Sequence, residues 1–267
     1  MDRKFKIDQL DQERLIKNND LPMVTNPVIF NAGNGPTSDG LLSNELFGIT
    51  KDERSGIFGY IDLKEGIELV KKRGELMQNL VPAGKWSMAA IMGLENNKVE
   101  EICNSVKSGF VTPANYNYVG QIVISGEEKA VEEAMEKAKE AGCKKAVPLK
   151  TSGPFHTVKL EKASEELGKE LEKININNSE KQVIKNIDGK PYTEQDDIKE
   201  ILKKHIISPV HFDKAIDTML KMGIDTFIEI GPGKTLSGFI KRTNKEVKVL
   251  NINNLASLEE TLNYLKI

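Results

Sequence analysis

The spacing of hydrophobic residues along the chain becomes regular near residue 63. From Lys64 onward, stretches with helical and strand periods alternate. Ile67, Val70, Gly74 and Met77 fall at helical spacing, and the Pro-Ala-Gly turn at 82–84 follows them. The pattern therefore predicts a first helix over about 64–79.

Residues 87–149 contain a complete set of alternating elements. Their periods predict the order β-α-β-β-α-β, which is typical of a ferredoxin-like unit with both helices on one face of the sheet. Gly142 is expected to end the second helix as a C-terminal cap. The predicted strands are 87–94, 111–115, 121–125 and 143–149, and the helices lie between the first and second and between the third and fourth strands.

The remainder of the chain also alternates, and alternation of strands and helices favours a parallel α/β sheet. The predicted helices are about 158–173, 195–204 and 212–222, one through Leu236 and Ile240, and 255–265. The predicted strands are 182–186, 226–230 and 247–252.

Residues 1–63 have a different texture, in which turn-forming residues dominate. Only a short helix at 10–16 and short strands at 28–30 and 58–61 are predicted there. We therefore expect an irregular N-terminal segment.

Composition excludes several classes of protein. The 267 residues carry 38 lysines and arginines against 40 aspartates and glutamates, so no strong field favours nucleic acid or a membrane surface. No secretory signal or bilayer-spanning run is visible, and Cys103 and Cys143 are too few for a disulfide framework. We therefore expect a cytoplasmic protein with free thiols. We also expect that residues 64–267 bind neither nucleic acid nor a membrane.

Three histidines narrow the search for a general base. His156 follows a Gly-Pro turn directly after a predicted strand, where open α/β sheets place catalytic groups, although a lone histidine is often structural. His205 and His211 match no metal-ligand spacing and are expected to be structural or surface residues. No metal site is predicted.

Two other polar features allow alternative interpretations. Arg73 lies in a charge cluster on the first helix. It is expected to be either a solvated surface residue or a residue that binds a substrate carboxylate through two hydrogen bonds. Asn115 and Asn117 are turn residues or polar walls of a pocket. The segment 231–235 ends in Gly-Lys-Thr but has Ile228 where a phosphate-binding loop needs glycine, so a tight strand-to-helix turn is favoured.

Six short motifs, taken in order, resemble the malonyl-CoA:acyl-carrier-protein transacylases of fatty-acid synthesis over about 64–253. The motifs are Val70-Lys-Lys-Arg-Gly-Glu-Leu-Met-Gln78, Pro82-Ala-Gly84 with Met88-Ala-Ala90, Ala114-Asn-Tyr-Asn117 with Gly120-Gln-Ile-Val-Ile-Ser-Gly126, Ser152-Gly-Pro-Phe-His156, Ser208-Pro-Val210 and Ile228-Glu-Ile-Gly-Pro-Gly-Lys234.

This resemblance implies a truncated parallel-sheet, hydrolase-like acyltransferase core in 64–83 and 150–267, with the ferredoxin-like unit inserted at 84–149. It implies malonyl-CoA as substrate, acyl carrier protein as partner and no cofactor. His156 is expected to be the acid and base, Arg73 to grip the malonyl carboxylate and Asn115 to contact substrate. The family uses a backbone carbonyl to orient the histidine, and alignment places that carbonyl near Met222.

The sequence departs from this family at the nucleophile. No Gly-x-Ser-x-Gly elbow occurs, so we expect no malonyl transfer by the chain alone. The alternative function is a non-catalytic remnant that binds acyl carrier protein. Segments within 24–62 resemble the N-terminal part of a phage-type RNA polymerase β′-like subunit, which implies two fragments joined near Leu63 and Lys64 and, as a further alternative, a polymerase-associated binding module.

Overall fold

A computed structural model describes residues 27–31, 60–61, 63–151, 153–177, 182–231 and 233–266, and for 27–31 and 63–64 it describes the backbone only. In chain order the elements are β1 (Pro27–Asn31), α1 (Leu63–Asn79), β2 (Trp86–Met92), α2 (Asn96–Ser105), β3 (Val111–Tyr118), β4 (Gln121–Glu127), α3 (Glu128–Glu140), β5 (Lys145–Pro148), α4 (Glu161–Leu171), α5 (Ile198–His205), β6 (Val210–His211), α6 (Phe212–Lys221), β7 (Thr226–Ile230), α7 (Thr235–Thr243), β8 (Lys248–Ile252) and α8 (Leu255–Leu265). A 3-10 turn at Val158–Leu160 precedes α4.

The β-α-β-β-α-β order predicted for 87–149 is the order that the structure has. Its sheet runs β5-β2-β4-β3, and each of these neighbouring pairs is antiparallel. A fifth strand, β6, pairs in parallel with β3 through Asn115 and Val210. The sequence did not predict β6, because two residues are too few to carry a period.

Successive residues of β2 face opposite sides of this sheet. Ala89 and Ile91 pack with α2 and α3 in one apolar cluster, so both helices cover the same face, as predicted. Met88 and Ala90 belong to a second cluster on the other face. That cluster contains apolar residues of α1, α4 and α5, so the five-stranded sheet lies between two helical layers.

A separate three-stranded sheet has the order β1-β7-β8, and all its pairs are parallel. Strand β7 matches the predicted strand 226–230, and Phe227 and Ile228 belong to apolar clusters on its two faces. Strand β1 lies within 1–63, where we expected an irregular segment, and pairs residue by residue with β7. The short strand predicted at 28–30 is confirmed, and residues 27–31 contribute it to the parallel sheet.

The strand predicted at 182–186 is wrong. Only an isolated bridge between Ile184 and Pro191 forms there. Lys185 is nearly buried, and its ammonium lies 3.1 Å from a carboxylate oxygen of Asp196 and also pairs with Asp188. These ion pairs hold the segment as a compact loop, and no neighbouring strand pairs with it along its length.

The structure also describes the two cysteines and the length of the helices. Cys103 is buried and Cys143 half-buried, and both are free thiols. No helix within the described ranges is long and apolar enough to cross a bilayer. The short helix predicted at 10–16 lies outside the described residues.

Candidate active site

Arg73 lies on the buried stripe of α1. Leu69, Arg73 and Met77 follow one another at helical spacing, and only 3% of the Arg73 surface is exposed. The alternative that Arg73 is a solvated residue is therefore wrong. Arginine is almost never buried to this extent without a partner or a binding role. The buried positive charge therefore makes Arg73 a candidate functional residue.

His156 lies on a turn with unusual backbone geometry. Its φ is 58°, in the left-handed region that residues other than glycine rarely adopt, and its side chain is 1% exposed. The Thr157 hydroxyl donates to the Pro154 carbonyl at 2.7 Å, which closes the turn. The same hydroxyl accepts from the Lys159 amide and caps the 3-10 turn. Local strain of this kind is concentrated at functional sites.

Gly153 makes this turn possible for steric reasons. A Cβ atom at this position would lie 2.8 Å from the Phe155 ring and 3.2 Å from Val81. Phe155 is buried in the cluster shared with α1 and α4, so its ring has little room to move. The missing side chain at Gly153 therefore lets Phe155 pack closely and anchors His156 beside the core.

The carbonyl that orients His156 belongs to His205, at the end of α5. The His156 Nδ1–H donates to the His205 carbonyl oxygen across 3.3 Å, because a carbonyl can only accept. The expectation that this carbonyl lies near Met222 is wrong, since Met222 is 39% exposed at the end of α6. The bond joins residues 49 positions apart, so no local sequence pattern reveals it.

His205 also contributes its ring to the site. The ring is fully buried, and its centroid lies 5.3 Å from that of His156, with 40° between the planes. Burial lowers the pKa of His205 well below its ordinary value, and the charges of His156 and Arg73 lower it further. This electrostatic coupling indicates that Arg73, His156 and His205 share one buried site.

Asn115 faces the same layer as these residues. It lies opposite Val123 in the β3–β4 pair, and directly opposed residues share a face of a sheet. Val123 belongs to the cluster that includes Met77 of α1 and Phe155. Asn115 is 1% exposed, and among the described residues neither its amide nitrogen nor its amide oxygen has a hydrogen-bond partner.

The third histidine, His211, lies elsewhere. It is half-buried on β6, and its ring stacks on that of Tyr116 with centroids 4.4 Å apart. Tyr116 belongs to the opposite apolar cluster, with α2 and α3, so His211 packs on the other side of the sheet from Asn115. The prediction of a structural or surface role agrees with this position.

The turn after β7 is closed by a side chain. The buried Glu229 carboxylate accepts from the Leu236 and Ser237 amides and from the Ser237 hydroxyl, at the N-terminus of α7. A carboxylate at this position is stabilised by the positive end of the helix dipole. It also accepts hydrogen bonds from the amides to which a phosphate could otherwise bind. The turn therefore has the structural role that the missing glycine predicts. Within the described ranges, no cluster of His, Cys, Asp and Glu is arranged to hold a metal ion.

Comparisons with known proteins agree with these observations. A family model described as the acyl transferase domain matches residues 56–260, so the match begins eight residues before the expected boundary at Lys64. The malonyl CoA-acyl carrier protein transacylase of Bacillus subtilis is 41% identical over 210 residues, which cover 78% of this chain and 66% of the relative. The chain therefore spans about two thirds of the length of such relatives.

Solved structures give the same result. The malonyl CoA-acyl carrier protein transacylase of Clostridium perfringens superposes with a TM-score of 0.75 at 47% identity, over 78% of this chain and 66% of that protein. An acyl carrier protein S-malonyltransferase of Vibrio cholerae superposes at 0.72 with 40% identity, over 76% and 67%. A malonyl-transacylase in complex with its type II PKS acyl-carrier protein superposes at 0.73 with 36% identity, over 77% and 67%.

The family match covers most of the chain, and the relatives with solved structures share its fold at 36–47% identity over the aligned residues. The motifs that contain Arg73, Asn115 and His156 converge in the tertiary structure on one side of the five-stranded sheet. On this basis the chain belongs to the acyl transferase domain family, and the relatives that it resembles are malonyl-CoA:acyl-carrier-protein transacylases.

Proposed function

We propose that this chain carries the base and the carboxylate-binding arginine of a malonyl-transfer site, with malonyl-CoA as donor and acyl carrier protein as acceptor. The observation that carries the proposal is the buried His156, whose Nδ1–H donates to the His205 carbonyl, in one site with the buried Arg73. The names of the relatives support the substrate pair.

His156 has the geometry that a general base needs. Because Nδ1 carries the hydrogen donated to His205, Nε2 of the neutral ring has the lone pair. A hydroxyl that reaches Nε2 can donate to it, and a serine activated in this way becomes a nucleophile. The backbone acceptor selects one tautomer, so the ring requires no proton rearrangement before reaction.

Arg73 supplies recognition of the acyl group. A malonyl thioester has a free carboxylate, and a planar guanidinium binds a carboxylate through two parallel hydrogen bonds. Burial at 3% exposure strengthens such a pair, because water competes poorly there. Asn115 faces the same layer, with both amide atoms available, and we assign it to a polar group of the substrate.

The nucleophile in this proposal is a serine on a Gly-x-Ser-x-Gly turn supplied by another segment, because this sequence has no such turn. In the proposed step, the hydroxyl proton of that serine passes to Nε2 of His156 while the oxygen bonds to the thioester carbonyl carbon. The carbon–sulfur bond then breaks, and the proton returns from Nε2 to the departing thiolate of coenzyme A. The thiol of the carrier protein reverses these events to accept the malonyl group.

A second candidate is binding of acyl carrier protein without chemistry. It is favoured by the missing serine elbow together with the relative solved in complex with its acyl-carrier protein. The 84–149 unit, which we propose to be a ferredoxin-like insert from its β5-β2-β4-β3 strand order, is the expected docking element. Carrier-protein binding by the chain, with no transfer after completion of the site, would favour this alternative.

The resemblance of residues 1–63 to a polymerase subunit remains a separate proposal. Apart from the backbone of β1 and of Leu63 and residues 60–61, that segment lies outside the described residues. Co-purification with polymerase subunits tests it without reference to the acyltransferase site.

Completion of the site tests the main proposal. Residues 1–63 are replaced by the family's own N-terminal segment with its Gly-His-Ser-Leu-Gly elbow, joined at Lys64. Malonyl transfer to carrier protein is expected to appear, and His156→Ala in this chimera is expected to lower acylation on the order of 100-fold or more, as loss of a general base does. His211→Ala is the matched control, because His211 packs on the other side of the sheet. A folded chimera without transfer contradicts the proposal.

The original chain supplies the complementary measurement. Incubation with malonyl-CoA followed by intact mass is expected to show no covalent malonyl adduct, because no serine lies on an elbow. An adduct on any serine would show that a different nucleophile serves the site.

A further inference from the structure

The ring of His205 has no part in the mechanism above, although it is among the most buried polar groups of the described residues. His205 contacts His156 through both its backbone carbonyl and its ring. Its carbonyl accepts the Nδ1–H at 3.3 Å, and its ring lies against the His156 ring with centroids 5.3 Å apart. A backbone acceptor fixes where one ring atom points, whereas a packed neighbour restricts rotation of the whole ring.

Two charged or titratable groups of the described residues act electrostatically on His205. Arg73 faces it from α1 and His156 from the strained turn, and both lower its pKa. On its own helix, Lys203 and Lys204 point toward solvent and pair with Glu200, with 36% and 56% of their side chains exposed. One permanent cation and one base therefore act on the ring, and burial disfavours a charge on it.

We propose that the His205 ring is a positioning residue, a neutral imidazole that packs beside His156 and holds the ring orientation selected by its own carbonyl. The inference rests on the proposed function and adds a residue to it. During transfer, the proton moves from the serine hydroxyl to Nε2 of His156 and on to the leaving thiolate, and His205 neither gains nor loses one.

A neutral ring suits this position because His156 becomes a cation when it takes the serine proton. A second imidazolium 5.3 Å away in a water-excluded site would oppose that charge, as Arg73 already does. Removal of the ring leaves the carbonyl in place but opens a cavity beside His156. His205→Gln keeps a neutral polar side chain, whereas His205→Ala leaves the space empty. Both variants keep the backbone carbonyl, so a difference between them measures the effect of side-chain packing alone.

Nuclear magnetic resonance of the full chain tests this inference without any need for activity. The chain has three histidines, and His211→Gln leaves the two ring systems of interest. The native chain is expected to show His205 without titration between pH 5.5 and 8, and neutral His156 as the single tautomer with hydrogen on Nδ1. Titration of the His205 ring near its ordinary midpoint in the folded chain would overturn the proposal.

The variants give the second readout. His205→Ala is expected to show mixed tautomers of His156, while His205→Gln keeps the Nδ1–H form, with circular dichroism used to check that each is folded. A single tautomer in folded His205→Ala would contradict a positioning role. If that variant does not fold, the titration of the native chain decides.

The completed chimera links the role to catalysis. His205→Ala is expected to lower kcat about 10-fold, as misplaced groups do, with little change in KM, and His205→Gln is expected to restore most of the loss. An equal loss in both variants would indicate a different role for the ring. A native chimera without transfer would refute the proposed function, while the resonance measurements would still decide the position and protonation of His205.

Discussion

At the scale of single residues, burial distinguishes groups that look alike in the sequence. Arg73 and Lys72 are adjacent cations on α1, yet Arg73 is buried and Lys72 is exposed. His205 and His211 are six positions apart, and only His205 lies against His156. Helical phase separates the first pair, and the pairing of β6 with β3 directs His211 to the other side of the sheet.

Replacement of Arg73 should change which acyl group is transferred. In the completed chimera, Arg73→Ala is expected to lower malonyl transfer by about 10- to 100-fold, the effect of losing a charge-assisted hydrogen-bonded pair. Acetyl transfer should hold or rise, because an acetyl group has no carboxylate. The measurement is kcat/KM for both thioesters, with Lys72→Ala as the control. Equal slowing of the two reactions would make Arg73 structural.

His205 should also make stability depend on pH. Its folded-state pKa lies below the ordinary value of 6.5, so the unfolded chain binds a proton that the folded chain does not. The contribution of His205 is therefore fully present above about pH 6.5 and is lost as the pH falls below it, by at most about 1.4 kcal/mol per pH unit for one proton.

Urea unfolding at pH 7.5 and 5.5 measures this effect. The free energy of unfolding is expected to fall more in the native chain than in His205→Gln, which has no proton to gain. Glu133 keeps its charge across this window, because hydrogen bonds from Ser108 and Lys137 lower its pKa to about 2. An identical loss in the native chain and in His205→Gln would show that His205 titrates alike in the folded and unfolded states.

At the scale of elements, two glycines show how the same residue serves opposite purposes. Gly74 lies inside α1, next to Arg73, and beyond its own helix backbone a Cβ there would meet no atom of the described residues within 4 Å. Gly153 precedes the His156 turn, and a Cβ there would lie 2.8 Å from the Phe155 ring. The first glycine weakens a helix without steric need, while the second permits a close contact.

Alanine at these two positions should change stability in opposite directions. Gly74→Ala is expected to raise the free energy of unfolding by about 0.5–1 kcal/mol, since glycine is costly inside a helix. Gly153→Ala is expected to lower it by about 1–3 kcal/mol through overpacking. Urea titrations of the two variants against the native chain make the comparison. A neutral Gly153→Ala would show that the Phe155 ring moves aside easily.

At the scale of the whole molecule, the five-stranded sheet joins segments that the sequence separates into two domains. Its β6 strand comes from 210–211, and one of its faces packs on α1, α4 and α5. The 84–149 unit therefore shares a core with both flanking segments. Shared burial of this kind favours a single cooperative transition for these parts of the chain.

Trp86, the only tryptophan, reports on the junction between these segments. It begins β2, and its indole N–H donates to the Pro82 carbonyl at 2.8 Å. In urea, the midpoint of its fluorescence change is expected to coincide with the midpoint of far-ultraviolet circular dichroism, which reports on all helices. Separate midpoints would show that the 84–149 unit unfolds independently.

The sequence by itself determined most elements after residue 64. Strand 226–230 and helix 255–265 are confirmed with their predicted bounds, and the β-α-β-β-α-β order of 87–149 is confirmed as well. These features depend on periodicity over neighbouring residues, so they can be read without knowledge of the fold. The family also followed from the order and spacing of short motifs.

The tertiary structure alone decided which polar groups share a site. The His205 carbonyl reaches His156 across 49 positions, and β6 exists because β3 lies beside it. The charge of Arg73 acts on His205 only because α1 and α5 pack on the same face of the sheet. Such contacts depend on how distant elements pack, and packing of this kind leaves no periodic signal in the sequence.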